Sequence, residues 1–205
     1  LKKFLDSNIV QTILNTSLIK RTNENDLALH PIIHPYEKWK TRDIHKRSQN
    51  GNYQNLFKYT SCVLMELSRI PSFSTYVKND ELSKIVAILD LVEGSSIQYI
   101  CIALMHIGLQ DKSGTQNKYI SNLSSIGLIS VIFKKIKKCN NDVILQYLLG
   151  TLFVYLVSSD VQQLSVDEDG LEMLSVIALS GAMFSYITIE LAMRCLNRIT
   201  IDQNK

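Results

Sequence analysis

Apolar residues recur at helical spacing in the second half of the chain. Three stretches, around residues 97–105, 143–155 and 187–199, place apolar side chains three or four positions apart, which is the spacing of one helix face. In each stretch the apolar positions extend around most of the helix circumference. A helix with one side in water needs only a narrow apolar stripe, so we expect these helices to be packed between neighbours.

The pattern repeats at a period of about 43 residues. Gly127 and Gly170 are 43 residues apart, and each follows a short helical segment. Beyond each glycine the spacing predicts a second helix, over 128–138 and 171–180, then a polar break and a long apolar helix. The sequence therefore predicts a unit of three helices.

The same pattern fits residues 73–109 more loosely. There the turn falls at Asp80, the second helix is predicted over 84–91 and the third over 97–109. A polar insert at 110–116 lengthens the next interval. Four leucines then occupy equivalent positions in the third helices: Leu64, Leu104, Leu152 and Leu196.

These features resemble the armadillo repeat family, whose unit of about 40 residues has three helices and a glycine turn, with a third helix ending in Ala-Leu-x-Asn-Leu. The matching tails here are 63–67, 103–107 and 195–199. The resemblance covers roughly residues 56–200. It implies an all-α fold, a right-handed α-solenoid of about three to four stacked three-helix repeats with an N-terminal helix.

Gly127 and Gly170 are predicted to be structural turns. A sharp corner between two helices demands either a positive φ or a close approach of the backbone, and glycine accommodates both at little cost. Substitution at either position is expected to lower stability.

The first third of the chain does not follow the three-helix pattern. Residues 1–19 form a predicted amphipathic helix, either a cap or a partial repeat, and 20–55 a basic loop or mobile insertion without helical periodicity. The armadillo-like repeat domain is assigned to 56–205.

The formal net charge of +3 is unevenly distributed, because the first 58 residues hold ten Lys or Arg against five Asp or Glu. Basic side chains beside an aromatic ring can bind nucleic acid or an acidic surface, which gives an alternative function. This alternative basic patch comprises Lys38, Trp39, Lys40, Arg42, Lys46 and Arg47.

Motifs for chemistry are missing from the sequence. There is no GxSxG, P-loop or GxGxxG motif and no CxxC pair, and His30 and His34 form a pair without clustered Cys, Asp or Glu. The sequence predicts no catalytic site, no metal and no cofactor. No apolar run reaches the length of a membrane span, and the scattered cysteines favour the cytoplasm, with the nucleus or cytoskeleton as alternatives.

The predicted function is therefore binding. The concave surface of stacked repeats is lined by third helices, so we expect a scaffold or adaptor that binds a protein or peptide there. The resemblance does not extend to the importins, whose ladder of Asn residues is missing. Self-association through terminal repeats is a further possibility. The groove positions predicted to bind are Glu66, His106, Tyr155 or its neighbour Val154, and Arg198.

Overall fold

The computed structural model describes residues 20–23, 26–28, 51–70, 73, 77, 79–109, 118–181 and 183–201. These residues form one short pair of antiparallel strands and nine helices. In chain order the elements are β1 (Lys20–Asn23), β2 (Asp26–Ala28), α1 (Gly51–Ser68), α2 (Asn79–Leu91), α3 (Ser95–Leu109), α4 (Lys118–Ser125), α5 (Leu128–Lys138), α6 (Asp142–Tyr155), α7 (Ser159–Asp167), α8 (Gly170–Leu179) and α9 (Tyr186–Ile201).

The segment predicted as a loop over 20–55 contains regular structure. Strands β1 and β2 are antiparallel, and Lys20 pairs with Ala28. Helix α1 begins at Gly51, ahead of the predicted boundary at residue 56. The helix predicted for 1–19 lies outside the described residues.

Between residues 118 and 201 the helices follow the predicted order twice over: a short helix, a second helix and a long helix. We call α4, α5 and α6 one unit, and α7, α8 and α9 the next. The predicted turn at Asp80 is wrong, because that residue lies inside α2 and Leu82 is fully buried. Asn79 and Asp80 are residue types that favour a helix N-terminus, so polarity alone did not distinguish a helix start from a turn.

The third helices pack against one another in chain order. Helix α3 packs against α1 and α6, and α6 packs against α3 and α9. Ile100, Leu104, Leu148 and Leu152 are fully buried between them. The expectation that these helices are packed between neighbours is confirmed, and it explains why they are apolar around most of their circumference.

Lysines of α5 bond to the preceding unit. Lys134 pairs with Asp90 of α2 at 2.7 Å, and Lys135 donates to the Val92 carbonyl oxygen at 2.8 Å. The exposed ion pair contributes at most about 1 kcal/mol. The Lys135 bond satisfies a carbonyl just beyond the end of α2, where helices have unpaired acceptors.

The start of α9 is held by a carboxylate of the preceding unit. Asp142 Oδ1 accepts hydrogen bonds from the Ser185 backbone N–H at 3.1 Å and from Thr188 Oγ1 at 2.6 Å. Its Oδ2 accepts from Gln146 Nε2 at 3.0 Å. Desolvation acts to raise the pKa of Asp142, but the hydrogen bonds from Thr188, Ser185 and Gln146 outweigh it and hold that pKa below its ordinary value.

The two predicted turn glycines meet different requirements. Gly127 precedes α5 with φ +85° and has open space where a Cβ would lie. At the corresponding corner before α8 the left-handed residue is Asp169, with φ 59°. Gly170 is instead required by close packing, because a Cβ there would overlap the Ser165 carbonyl oxygen and lie 2.6 Å from Phe133 Cζ. The equivalent of Gly127 is therefore Asp169, one residue before the predicted one.

Candidate protein interaction surface

Helix α3 turns an apolar face away from the core. Ile102, Met105 and Leu109 are spaced at i, i+3 and i+7, so they lie on one side of the helix, opposite buried Ile100 and Leu104. Leu109 is 59% exposed, and the other two are half-buried. An apolar side of a third helix is thus accessible.

Helix α6 continues this apolar surface. One face and the turn that follows carry Val143, Tyr147, Gly150, Val154 and Val157, at spacings of three or four residues. Val143 is 49% exposed and Val157 is 53% exposed. Together with Ile102, Met105 and Leu109 of α3, these residues form what we call the third-helix strip.

Two glycines bring the halves of the strip together. A Cβ on Gly150 would lie 3.4 Å from Met105 Sδ, and a Cβ on Gly108 would lie 2.9 Å from Val154 Cγ1. Because both positions lack a side chain, α3 and α6 approach closely along this face. The strip is therefore continuous across the two helices.

Polar groups border the strip on the side of α1. Glu66, a predicted groove residue, is partly exposed and pairs with Arg69 at 3.1 Å. His106, also predicted, lies beside Ser68, with Nδ1 2.9 Å from Ser68 Oγ. Ser68 Oγ donates to the Met65 carbonyl oxygen at 2.6 Å, so His106 Nδ1–H donates to Ser68.

The environment of His106 favours its neutral form. Burial lowers the pKa of His106, and the Arg69 charge lowers it further against the opposing effect of Glu66. The neutral ring donates through Nδ1 and keeps Nε2 as an acceptor. At physiological pH this border of the strip thus carries one ion pair and an uncharged imidazole.

Arg198 borders the strip on the side of α9. Its Nη1 donates to the Phe153 carbonyl oxygen at 2.7 Å, and its guanidinium lies 3.7 Å from the centre of the Phe153 ring. The first contact satisfies an acceptor near the end of α6, and the second is a cation–π interaction. Arg198 is therefore half-buried at the junction of two units and has a structural role beside any contact with a ligand.

The prediction that Tyr155 lines the groove is wrong. Its side chain is fully buried, and its hydroxyl donates to the Leu104 carbonyl oxygen at 2.8 Å. Burial raises the pKa of this phenol far above its ordinary value. Tyr155 is on the core side of α6 and Val154 on the accessible side, and a helix apolar on every face gives no sequence signal to choose between them.

The alternative basic patch, Lys38, Trp39, Lys40, Arg42, Lys46 and Arg47, lies outside the described residues. His30 and His34 lie outside them as well. Within the part of the chain that the structure describes, no group of three or more His, Cys, Asp or Glu side chains is placed to hold a metal ion. None of the helices described there is both long enough and apolar enough to cross a membrane.

The described residues form a protein of nine mutually packed helices with an apolar strip along α3 and α6. No protein-family model, curated protein or solved structure matches the chain. The resemblance to armadillo repeats therefore stays a prediction from the sequence, and function rests on the geometry of the surface.

Proposed function

We propose that this protein is a non-catalytic scaffold or adaptor that binds an apolar segment of another protein along the third-helix strip. One observation supports this proposal above the others: eight apolar positions, three of them exposed and five half-buried, form a continuous surface across α3 and α6. Monomeric proteins rarely expose contiguous apolar patches larger than a few hundred Å² unless they bind something there.

The proposal includes an architecture. We infer that the units stack as a right-handed, armadillo-like α-solenoid, with the third-helix strip on its concave side. The order of packing from α1 through α3 and α6 to α9 supports this arrangement, as do hydrogen bonds that join residues 38 to 51 positions apart. Contacts limited to neighbouring units are typical of solenoids.

The chemistry of the strip indicates the kind of segment it binds. Its centre is apolar, while its borders carry Glu66 and Arg69 on one side and Arg198 on the other. An amphipathic helix fits such a surface by placing apolar residues at i, i+3, i+4 and i+7 on the strip. Each large apolar side chain that becomes fully buried contributes about 1.5–3 kcal/mol.

We place the protein in the cytoplasm, with the nucleus or cytoskeleton as alternatives. All four cysteines are free thiols, which suits a reducing compartment. Self-association through the terminal unit also forms part of the proposal and is developed below from a different surface.

Selection from a displayed library of amphipathic peptides on the immobilised chain tests the strip. Enriched peptides are expected to share apolar residues at helical spacing. Leu109→Lys combined with Val157→Lys should weaken their binding at least tenfold, measured by titration calorimetry. Both side chains are more than half exposed, so the helix content in circular dichroism should be unchanged.

Val176→Lys, which makes the same chemical change on α8, is the matched control and should leave peptide affinity unchanged. Equal loss in both variants would contradict binding at the strip. An affinity that instead falls tenfold or more between low and moderate salt and follows Lys38, Arg42 and Lys46 would favour the basic N-terminal segment.

A further inference from the structure

The unit of α7, α8 and α9 exposes a second apolar surface, away from the third-helix strip. It lies on α8, on the connection that follows and on α9. Each of its side chains is more than half exposed, and Leu179 reaches 85%. We call this surface the C-terminal patch, and its members are Val176, Leu179, Met183, Tyr186, Ile187 and Met193.

The members of the C-terminal patch lie on three successive segments: α8, the connection that follows, and α9. Val176 and Leu179 are one turn apart on α8, and Met183 follows in the connection. Tyr186 and Met193 are two turns apart on one side of α9. Since α8 and α9 pack directly against each other and are consecutive along the chain, the six residues lie on adjoining parts of one unit.

Comparison with the preceding unit shows that this surface is not a requirement of the fold. When the first residues of α5 and α8 are aligned, Lys134 corresponds to Val176 and Lys137 to Leu179. The lysines are exposed, and Lys134 pairs with Asp90. The same outward face is therefore charged in one unit and apolar in the next, although neither position is buried in the core.

The extent and the charge of the C-terminal patch fit a second copy of the chain. Six large side chains exposed to this degree present an area on the order of 800 Å², which is what each partner contributes to a standard interface. Glu172 on α8 and Arg194 on α9 carry opposite charges, and within the single chain Arg194 pairs with Glu190 of its own helix. A two-fold axis can bring Glu172 of one copy to Arg194 of the other, because residue i then contacts residue j and residue j contacts residue i.

We propose that two copies of this chain associate through the C-terminal patch as a two-fold symmetric dimer. Helix α8 of one copy packs across α9 of the other, which buries Leu179 and Tyr186. In this arrangement Glu172 of each copy faces Arg194 of the other. The interface is separate from the third-helix strip, so each dimer presents two strips.

Sedimentation equilibrium of the full 205-residue chain tests this proposal. At about 100 μM, where a complex with a micromolar dissociation constant is nearly fully formed, we expect twice the 23.3 kDa chain mass. Val176→Lys with Leu179→Lys, which restores the residues found in α5, should raise the dissociation constant about 100-fold or more, as the loss of central interface contacts does. A wild-type chain that remains monomeric would overturn the proposal.

Two further variants separate this interface from other forms of association. Val157→Lys, on the third-helix strip, should leave the dimer intact, and its dissociation would assign the contact to the strip and overturn the proposal. Glu172→Arg and Arg194→Glu should each weaken the dimer, and the double variant should recover most of the affinity. Failure of the charge swap to recover it would contradict the two-fold arrangement. Circular dichroism verifies that each variant keeps its helices.

Discussion

Replacing Gly170, Gly127 or Gly150 by alanine is expected to change the free energy of unfolding by three different amounts. At Gly170 the new Cβ overlaps the Ser165 carbonyl oxygen and lies 2.6 Å from Phe133 Cζ. A backbone oxygen moves only if α7 shifts against α8, so we expect Gly170→Ala to cost about 3 kcal/mol, at the upper end of ordinary overpacking. At Gly127 there is space, and the cost comes from φ +85° alone. That conformation costs a residue with a side chain about 1–2 kcal/mol, partly offset by a less flexible unfolded chain, which leaves about 1 kcal/mol.

Gly150→Ala is expected to change stability in the opposite direction. It lies within α6, and its Cβ would meet only the flexible end of Met105, at 3.4 Å. Removing a glycine from a helix interior stabilises it by about 1 kcal/mol, so Gly150→Ala should raise the free energy of unfolding. Urea unfolding followed by circular dichroism measures all three, with differences taken from midpoints at a constant slope. The reasoning is refuted if Gly170→Ala costs no more than Gly127→Ala.

Two more predictions concern ionisable groups. Because the folded pKa of Asp142 is below its ordinary value, its contribution to stability is present above pH 3.8 and is lost as the pH falls through the folded pKa. Asp142→Asn should therefore destabilise the protein at neutral pH and less so in acid, and urea midpoints that differ equally across that pH range would rule this out. Burial raises the pKa of Cys101 and of Cys195 to about 12, so an aromatic disulfide reagent at mildly alkaline pH should label half-buried Cys62 first and these two only after unfolding. Equal labelling rates for all the thiols of the folded chain would contradict the buried positions.

The sequence pattern predicted the limits of a helix well where its two ends or its two sides differ in chemistry. Helix α5 was predicted to its observed limits, because a glycine precedes Leu128 and its lysines are on one face and at its end. Helix α8 was predicted to within one residue. The expected packing of the third helices against one another also agrees with the structure.

The accessible surface was less predictable, for a physical reason. On α3 and α6 an apolar residue occurs at nearly every position, so periodicity does not separate Met105 and Val154, which are accessible, from Leu104 and Tyr155, which are buried. Polar residues such as His106 stood out in the sequence but lie at the border of the strip. Similarly, Asp169 at the corner before α8 adopts a conformation usually taken by glycine. The glycine pattern in the sequence therefore indicated its neighbour, Gly170.

The carboxylate of Asp142 couples the start of α9 to α6. A helix needs a costly first turn before it can grow, and the first turn of α9 is anchored to a side chain of the unit before it. The start of α9 therefore loses this stabilisation whenever α6 opens. Hydrogen exchange at the start of α9 should report the opening of α6 as well as its own.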